Sequence, residues 1–156
     1  MDRLLSLLEQ NARLTNKQLA VMLETTEAQV AAKIEQYEEE GIIRGYTTVL
    51  DREKFDKDYV LAIIELKVTP KPDYGFEEIA RRIAEYTEVE SVYLMSGGFD
   101  LAVFVNGRTF KDIALFVSKR LAVLDSVVST ATHFLLSRYK DKGFMIADDE
   151  IDERSV

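Results

Sequence analysis

The sequence of 156 residues contains no cysteine and no tryptophan, and it contains a single histidine, His133. Without cysteine the chain cannot form disulfides, use a thiolate nucleophile or bind zinc through sulfur. One histidine cannot build a histidine-rich metal site within one copy of the chain. No carboxylate pair or nucleophile–base spacing stands out either. We therefore expect no catalytic residue, no metal site and no cofactor.

Long apolar runs are also missing. No run approaches the roughly 18 residues needed to span a membrane. The start, "MDRLLSLLEQNARLT", lacks the basic region, uncharged apolar region and small-residue cleavage site of a signal peptide. These absences predict a cytoplasmic protein with no membrane partner.

Positive charge is scarce, since 20 basic side chains face 28 acidic ones and the formal net charge is −8. Phosphate neutralisation supplies most non-specific affinity for nucleic acid, so this balance argues against a generic nucleic-acid binder. The last ten residues, "ADDEIDERSV", carry five acids and one arginine. We interpret residues 147–156 as a solvated acidic tail.

The first 50 residues have the pattern of short helices. Two capping boxes are present, Thr15 with Gln18 and Thr26 with Gln29, each of which satisfies free N–H groups at a helix start. Gly41 occupies the place of a left-handed residue just after a helix. The pattern predicts three short helices, the last two forming a helix-turn-helix.

After the third helix, "IIRGYTTVL" has a glycine between two β-prone pieces and predicts a small hairpin or wing. "DREKFDKD" is charged and aperiodic. We therefore predict a helix-turn-helix domain over residues 1–50, followed by a linker over residues 51–58.

Residues 59–146 change period and follow the order βαββαβ. With right-handed crossovers this order predicts an α+β, ferredoxin-like domain, in which both helices cover one face of a four-stranded antiparallel sheet. The first strand, "YVLAIIELKV", is apolar on both faces near its start, and "LAVFV" is apolar throughout. The second face therefore needs a cover, and a second copy in a two-fold homodimer is the simplest one.

Three stretches resemble the Lrp/AsnC family of transcription regulators, over Arg3 to about Ile146. They are "NARLTNKQLA" in the first half, the junction "EEEGIIRGYTTVLDREKF" and the turn "YLMSGGFDLAV". The resemblance implies an N-terminal winged helix-turn-helix that binds double-stranded DNA. It also implies a C-terminal RAM- or ACT-like domain that pairs through its sheet face, often builds octamers from dimers, and senses an amino acid or related small molecule between dimers.

The predicted recognition helix is "EAQVAAKIEQYEEEG". We expect base or phosphate contacts from the outward-facing and nearby polar side chains, which are Arg13, Lys17, Glu27, Gln29, Lys33, Gln36 and Arg44. This helix departs from the family because it has one lysine where arginines are typical. Residues 1–50 hold five basic and eight acidic side chains, a net of −3. The prediction is weak, salt-sensitive DNA binding that is raised by avidity in an oligomer. The alternative is a helix-turn-helix kept as a structural or protein-interaction module.

The turn in "YLMSGGFDLAV" has three interpretations. A phosphate loop is disfavoured, because no G-x-G-x-x-G or P-loop lysine is present and a strand follows. A tight two-residue hairpin turn suits Gly97 and Gly98. The family resemblance adds an effector, whose carboxylate would meet backbone N–H groups while Asp100 pairs with its ammonium or holds the turn.

The implied effector-binding set takes in this turn and the last strand: Tyr93, Ser96, Gly97, Gly98, Phe99, Asp100, Thr130 and Thr132. The two threonines share one strand face and match a family T-x-T pattern, or serve only as β-branched strand formers. His133 points to the opposite face and is interpreted as a packed or hydrogen-bonded group.

Two other functional classes stay open. One is a DNA-independent amino-acid-sensing or partner-binding subunit, which the acidic recognition helix favours. The other is an enzyme resembling the siroheme decarboxylases, a distant branch of this architecture. Such chemistry would be expected to use histidine and arginine around a pocket, and this chain has one histidine.

Overall fold

The computed structural model describes residues 2–70 and 75–146. The predicted acidic tail, residues 147–156, lies outside the described residues. The chain divides into two compact units, residues 1–49 and 50–156. Within the described residues, no helix has both the length and the apolar character needed to cross a bilayer.

The first unit consists of the helices α1 (Arg3–Gln10), α2 (Asn16–Met22) and α3 (Glu27–Glu39). Both predicted capping boxes are formed, at Thr15 and Thr26, and Gly41 ends the third helix at φ +67°. The inward faces bury one apolar cluster, made of Leu4, Leu8, Leu19, Ala20, Val30 and Tyr37. The three-helix prediction is confirmed.

Of the small hairpin or wing predicted after α3, the hairpin is absent, since residues 43–50 form no strand. A lone two-stranded hairpin without a third strand is marginal in water. Here two side chains fold back on the end of α3 instead. The Tyr46 hydroxyl donates to Glu38 Oε1 at 2.8 Å, and the Arg44 guanidinium lies against Gly41, where a Cβ would meet Arg44 Cζ at 2.8 Å.

The second unit contains one antiparallel sheet in the strand order β2-β3-β1-β4. Its elements follow the predicted βαββαβ sequence: β1 (Val60–Val68), α4 (Phe76–Ala84), β2 (Val89–Leu94), β3 (Leu101–Gly107), α5 (Phe110–Phe116, continued by a π-helical turn Val117–Leu121) and β4 (Val127–Phe134). The ferredoxin-like prediction is confirmed.

The pairing register defines two sheet faces. Ile64 lies opposite Val103 and Thr132, and this row belongs to the helix face, which packs on α4 and α5 around Ile83 and Leu121. The alternate rows form the open face, on the side opposite the helices. The open face comprises Leu61, Ile63, Glu65 and Lys67 of β1, Ser91 and Tyr93 of β2, Ala102, Phe104 and Asn106 of β3, and Ser129, Ala131 and His133 of β4.

Residues 51–58, predicted as a linker, cluster with the second unit. A short 3₁₀ turn spans Arg52–Lys54, and Arg108 Nη1 contacts Asp56 Oδ1 at 2.7 Å. The Arg52 guanidinium stacks 4.1 Å from the centre of the Tyr59 ring, whose hydroxyl donates to Glu90. Burial and this hydrogen bond raise the pKa of Tyr59 to about 12. These contacts explain why the charged segment 51–58 belongs to the second unit.

A small hairpin near the end of the described chain was not predicted. It joins β5 (Lys140–Asp141) to β6 (Phe144–Met145). Lys142 and Gly143 have φ values of 45° and 88°, as a type I′ turn requires at both central positions. Two-residue strands are too short to show an alternation of apolar and polar residues. The Lys142–Gly143 pair was therefore the sequence feature that indicated this turn.

Candidate functional site

The outward surface of α3 carries a row of polar side chains. Lys33 Nζ donates to Gln36 Oε1 at 3.0 Å, and Gln36 Nε2 donates to Glu40 Oε1 at 2.6 Å. Lys33 also lies 4.7 Å above the ring of Tyr37. Gln29 and Glu27 are exposed at the start of the helix. The row therefore presents amides and one cation, followed by the acidic end of α3.

The four predicted phosphate-contacting cations are distributed over the first unit. Arg13 is exposed between α1 and α2, Lys17 is exposed in the first turn of α2, Lys33 is half-buried within α3, and Arg44 is exposed after α3. None of the four forms an ion pair with another described residue. They are therefore available to neutralise an external anion such as a phosphate.

The orientation of α3 depends on a pair that the sequence did not reveal. The buried Tyr37 donates its hydroxyl proton to Asp2 Oδ2 at 2.5 Å, and Asp2 Oδ1 also accepts from Leu4 N–H at 2.8 Å. The hydrogen bond to Asp2 raises the pKa of Tyr37 to about 12, and the same bond, assisted by the Leu4 N–H, lowers the pKa of Asp2. The bond spans 35 positions, a separation at which sequence patterns carry no signal.

The predicted two-residue glycine turn is wrong, because the loop between β2 and β3 holds six residues, Met95 to Asp100. It closes where Met95 N–H donates to the Asp100 carbonyl at 2.8 Å. Gly97 has φ +145°, in the region that favours glycine, whereas Gly98 has no such constraint. A Cβ at either glycine would meet nothing within 4 Å. The loop is therefore open to an incoming group.

Asp100 secures this loop to the central strand. Its carboxylate accepts from Val68 N–H at 2.7 Å, and its own N–H donates to the Leu66 carbonyl at 2.9 Å. These two bonds hold the start of β3 against the end of β1. Of the two roles predicted for Asp100, the turn-holding one is visible in the hydrogen bonds.

The backbone of the loop leaves donors unused. Within residues 2–70 and 75–146, no acceptor pairs with the N–H groups of Ser96, Gly97, Gly98 or Phe99. The first three are exposed and Phe99 is half-buried. Successive free N–H groups attract anions, so the loop can receive a carboxylate.

The sheet separates the remaining predicted effector residues. Thr130 and Thr132 lie opposite Leu66 and Ile64 on the helix face, whereas Tyr93 lies opposite Ala102 on the open face. Thr130 is half-buried and Thr132 is exposed. One copy of the chain therefore does not place Tyr93 and the two threonines on one surface.

The open face carries an aromatic pair and the single histidine. Tyr93 and Phe104 pack edge to face with ring centres 5.7 Å apart, and Tyr93 stays 53% exposed. His133 Nε2 lies 3.3 Å from Glu65 Oε1. This places the single histidine beside a carboxylate on the open face.

A cleft that the sequence did not reveal lies beside α4. Its volume is about 1300 Å³, and it is bounded by one side of α4, the end of β2 and the segment before β4. None of the predicted effector residues lines it. No group of three metal-ligating side chains occurs among the residues the structure describes.

Comparison with known proteins agrees with this two-unit organisation. A winged helix-turn-helix DNA-binding family model matches residues 3–44, and the Lrp/AsnC ligand binding domain model matches residues 61–144. The uncharacterized HTH-type transcriptional regulator YugG of Bacillus subtilis (strain 168) is 43% identical over 154 residues, covering 98% of this chain and 93% of that protein. An uncharacterized HTH-type transcriptional regulator of Pyrococcus furiosus is 34% identical over 142 residues, covering 90% of this chain and 93% of its own length.

Solved structures share the fold. A Neisseria meningitidis transcriptional regulator, crystallised as an L-Met complex, has a TM-score of 0.71 and is 23% identical, covering 90% of this chain and 93% of that one. A helix-turn-helix unit followed by a ligand-binding βαββαβ unit defines the class of the protein, a transcriptional regulator with its own ligand-binding domain. Within that class the chain belongs to the Lrp/AsnC family.

Proposed function

We propose that the chain regulates transcription by binding double-stranded DNA through α2 and α3 and an amino acid through the loop Met95–Asp100. The DNA contacts are assigned to Arg13, Lys17, Glu27, Gln29, Lys33, Gln36 and Arg44. The observation that carries this assignment is the capped helix-turn-helix, whose four cations have no ion-pair partner among the described residues.

Binding is proposed to be weak and salt-sensitive. The first 50 residues have a net charge of −3, and Glu35, Glu38, Glu39 and Glu40 make the end of α3 acidic. Each phosphate contact contributes about 0.9 to the slope of log affinity against log salt, so four cations limit the slope to roughly four per copy. Several copies on one DNA raise the apparent affinity through their effective concentration.

The effector is proposed to dock with its carboxylate on the free N–H groups of Ser96 to Phe99. Asp100 positions the loop, and Tyr93, Thr130 and Thr132 complete the proposed set. Because Tyr93 and the threonines face opposite sides of the sheet, a site that uses all of them requires more than one copy of the chain. The L-Met complex of the Neisseria regulator, which has the same fold, favours an amino acid as the ligand class.

The assembly is proposed to be a homodimer that buries the open face, with tetramers or octamers built from dimers. The exposed Tyr93 and the half-buried Ile63 and Phe104 supply the apolar surface for this contact. The proposal contains no catalytic step and no cofactor, since the single histidine pairs with Glu65 rather than with a nucleophile.

The test is retardation of a duplex taken from the region directly upstream of the chain's own gene. We expect a retarded band at about 50 mM salt that weakens steeply toward about 200 mM. Lys33→Gln is expected to lower the salt slope by about one, while Lys111→Gln, an exposed site on α5, leaves the slope unchanged. Absence of retardation at low salt, with and without amino acids, would contradict DNA binding.

A second function is favoured by one observation, the acidic end of α3. If the wild-type chain does not retard DNA but an amino acid raises its melting temperature, the protein is a DNA-independent sensing or partner-binding subunit. The two functions share the effector loop and differ only in the role of α3.

A further inference from the structure

The side-chain amide of Gln29 can both accept and donate hydrogen bonds, but only its N–H donors are available to DNA. Gln29 Oε1 accepts from Thr26 N–H at 3.3 Å, from the Thr26 hydroxyl at 3.2 Å and from the Thr25 hydroxyl. A backbone N–H can only donate, so the amide atom that faces Thr26 is the oxygen. Three donors saturate the two lone pairs of that oxygen.

The nitrogen of the same amide is unengaged. Among the described residues, no acceptor pairs with Gln29 Nε2, and the side chain is exposed in the first turn of α3. In a helix-turn-helix, the first residues of the second helix are the ones that meet base edges in the major groove. Gln29 therefore offers two N–H donors and no acceptor.

This restriction changes what Gln29 can recognise. A glutamine that reads adenine uses both functions, accepting from N6 and donating to N7. With its oxygen held by the helix cap, Gln29 cannot make that paired contact without breaking the cap. Guanine presents two neighbouring acceptors, N7 and O6, and a phosphate presents acceptors only.

We infer that Gln29 is a DNA-contacting residue that donates two hydrogen bonds to a DNA group that only accepts, either a guanine edge, which would make it specificity-determining, or a phosphate. The inference rests on the proposed DNA-binding function. It adds a rule that the proposed function does not contain, because the helix cap excludes the paired contact to adenine N6 and N7 that a free glutamine makes.

The chain provides a matched control in its other capping box. Gln18 Oε1 accepts from Thr15 N–H at 2.9 Å and from the Thr15 hydroxyl at 3.1 Å, so its chemistry is the same on α2. Gln29→Glu and Gln18→Glu each keep a cap acceptor, remove the two donors and add one charge. Gln29→Met and Gln18→Met remove the donors without adding charge.

The experiment measures affinities of the full-length variants for the duplex upstream of the chain's own gene, with a panel of single base-pair changes and an unrelated duplex of equal length. We expect both Gln29 variants to bind roughly tenfold more weakly than the wild type and both Gln18 variants to stay within about twofold. A preference for guanine that Gln29→Met abolishes at one position identifies a base edge. An equal loss on every duplex identifies a phosphate.

Two results would overturn the inference while leaving the proposed function intact. One is a preference for an adenine·thymine pair that Gln29→Met abolishes. The other is equal behaviour of the Gln29 and Gln18 variants. Failure of the wild-type chain to retard any duplex is a different outcome, because it removes the DNA-binding function itself.

Discussion

At the residue scale, the Tyr37–Asp2 hydrogen bond joins α3 to the start of α1. Tyr37 is buried within the apolar cluster of the first unit, and Asp2 caps α1 through its other carboxylate oxygen. One carboxylate therefore serves two helices. Removing the tyrosine hydroxyl is therefore expected to weaken both the N-cap of α1 and the packing of α3.

Tyr37→Phe is expected to lower the melting temperature of the first unit by roughly 5 °C near neutral pH. Because the pKa of Asp2 is lowered in the folded chain, the stabilisation is present above the ordinary carboxylate pKa of about 4 and is lost as pH falls below it. Because the pKa of Tyr37 is raised to about 12, the stabilisation is complete below the ordinary tyrosine pKa of about 10 and is lost as pH rises toward 12. Thermal unfolding followed by circular dichroism at several pH values measures the difference between variant and wild type.

The control for that measurement is Tyr139→Phe. Tyr139 is 71% exposed, and its hydroxyl makes no hydrogen bond with any residue the structure describes. A stability difference for Tyr37→Phe that stays constant from pH 3 to pH 11, or one no larger than that of Tyr139→Phe, would show that the bond does not stabilise the unit.

At the element scale, features decided by residues close in sequence were predicted well, whereas features decided by contacts between distant residues were not. The Thr-x-x-Gln boxes marked the starts of α2 and α3, because capping is decided by residues three positions apart. Strand alternation predicted β1 and its two faces for the same reason. The hairpin expected after α3 is absent, and Tyr46 and Arg44 contact the end of α3 instead. No local sequence pattern predicts these two contacts.

The loop Met95–Asp100 shows the same division between local and long-range signals. Adjacent glycines predicted a turn, which is present, but not its length. Asp100 fixes the end of the six-residue loop through its hydrogen bonds to Val68 and Leu66 of β1. This cross-strand contact could not be predicted without the strand register. Likewise, the sequence placed Thr130 and Thr132 on one face but could not show that Tyr93 lies on the other.

Gly98→Asp is expected to abolish the rise in melting temperature that the effector amino acid produces, because its carboxylate would repel the ligand carboxylate. Gly98→Asn is the control, since it has the same size without the charge. Both variants are expected to fold, because Gly98 lacks a glycine-only φ and a Cβ there has open space. For the wild type, an amino acid at 100 times its Kd stabilises the fold by about 2.7 kcal/mol.

The measurement for that pair is a thermal-shift screen of the full-length chain against the amino acids. A shift that survives in Gly98→Asp would remove the loop from the effector site. If no amino acid shifts the wild type, the amino-acid part of the proposed function fails, whichever residues form the site.

At the scale of the whole molecule, the two sheet faces differ in what covers them. The helix face packs on α4 and α5 and contains the larger of the two apolar clusters among the described residues. On the open face, Ile63 lies between Phe104 and His133 in one row across the sheet, while α4 and α5 pack on the other face. The apolar Ile63 and Phe104 lose hydration only when another surface packs on them, and in the proposed homodimer a second copy supplies the same residues under two-fold symmetry.

Ile63→Lys is therefore expected to convert the proposed homodimer to monomer, because an unpaired ammonium at the centre of the contact must be desolvated without a partner. We expect the dimer dissociation constant to rise by about 100-fold or more, measured by sedimentation of the full-length chain. Leu115→Lys is the control, since Leu115 is an apolar residue of α5 that is 40% exposed and lies outside the open face. A wild-type chain that sediments as a monomer, or an Ile63→Lys variant that stays folded and dimeric, would show that the open face is not the interface. If dimer loss also lowers the retardation of DNA, the avidity proposed to offset the few phosphate contacts of each copy comes from this face.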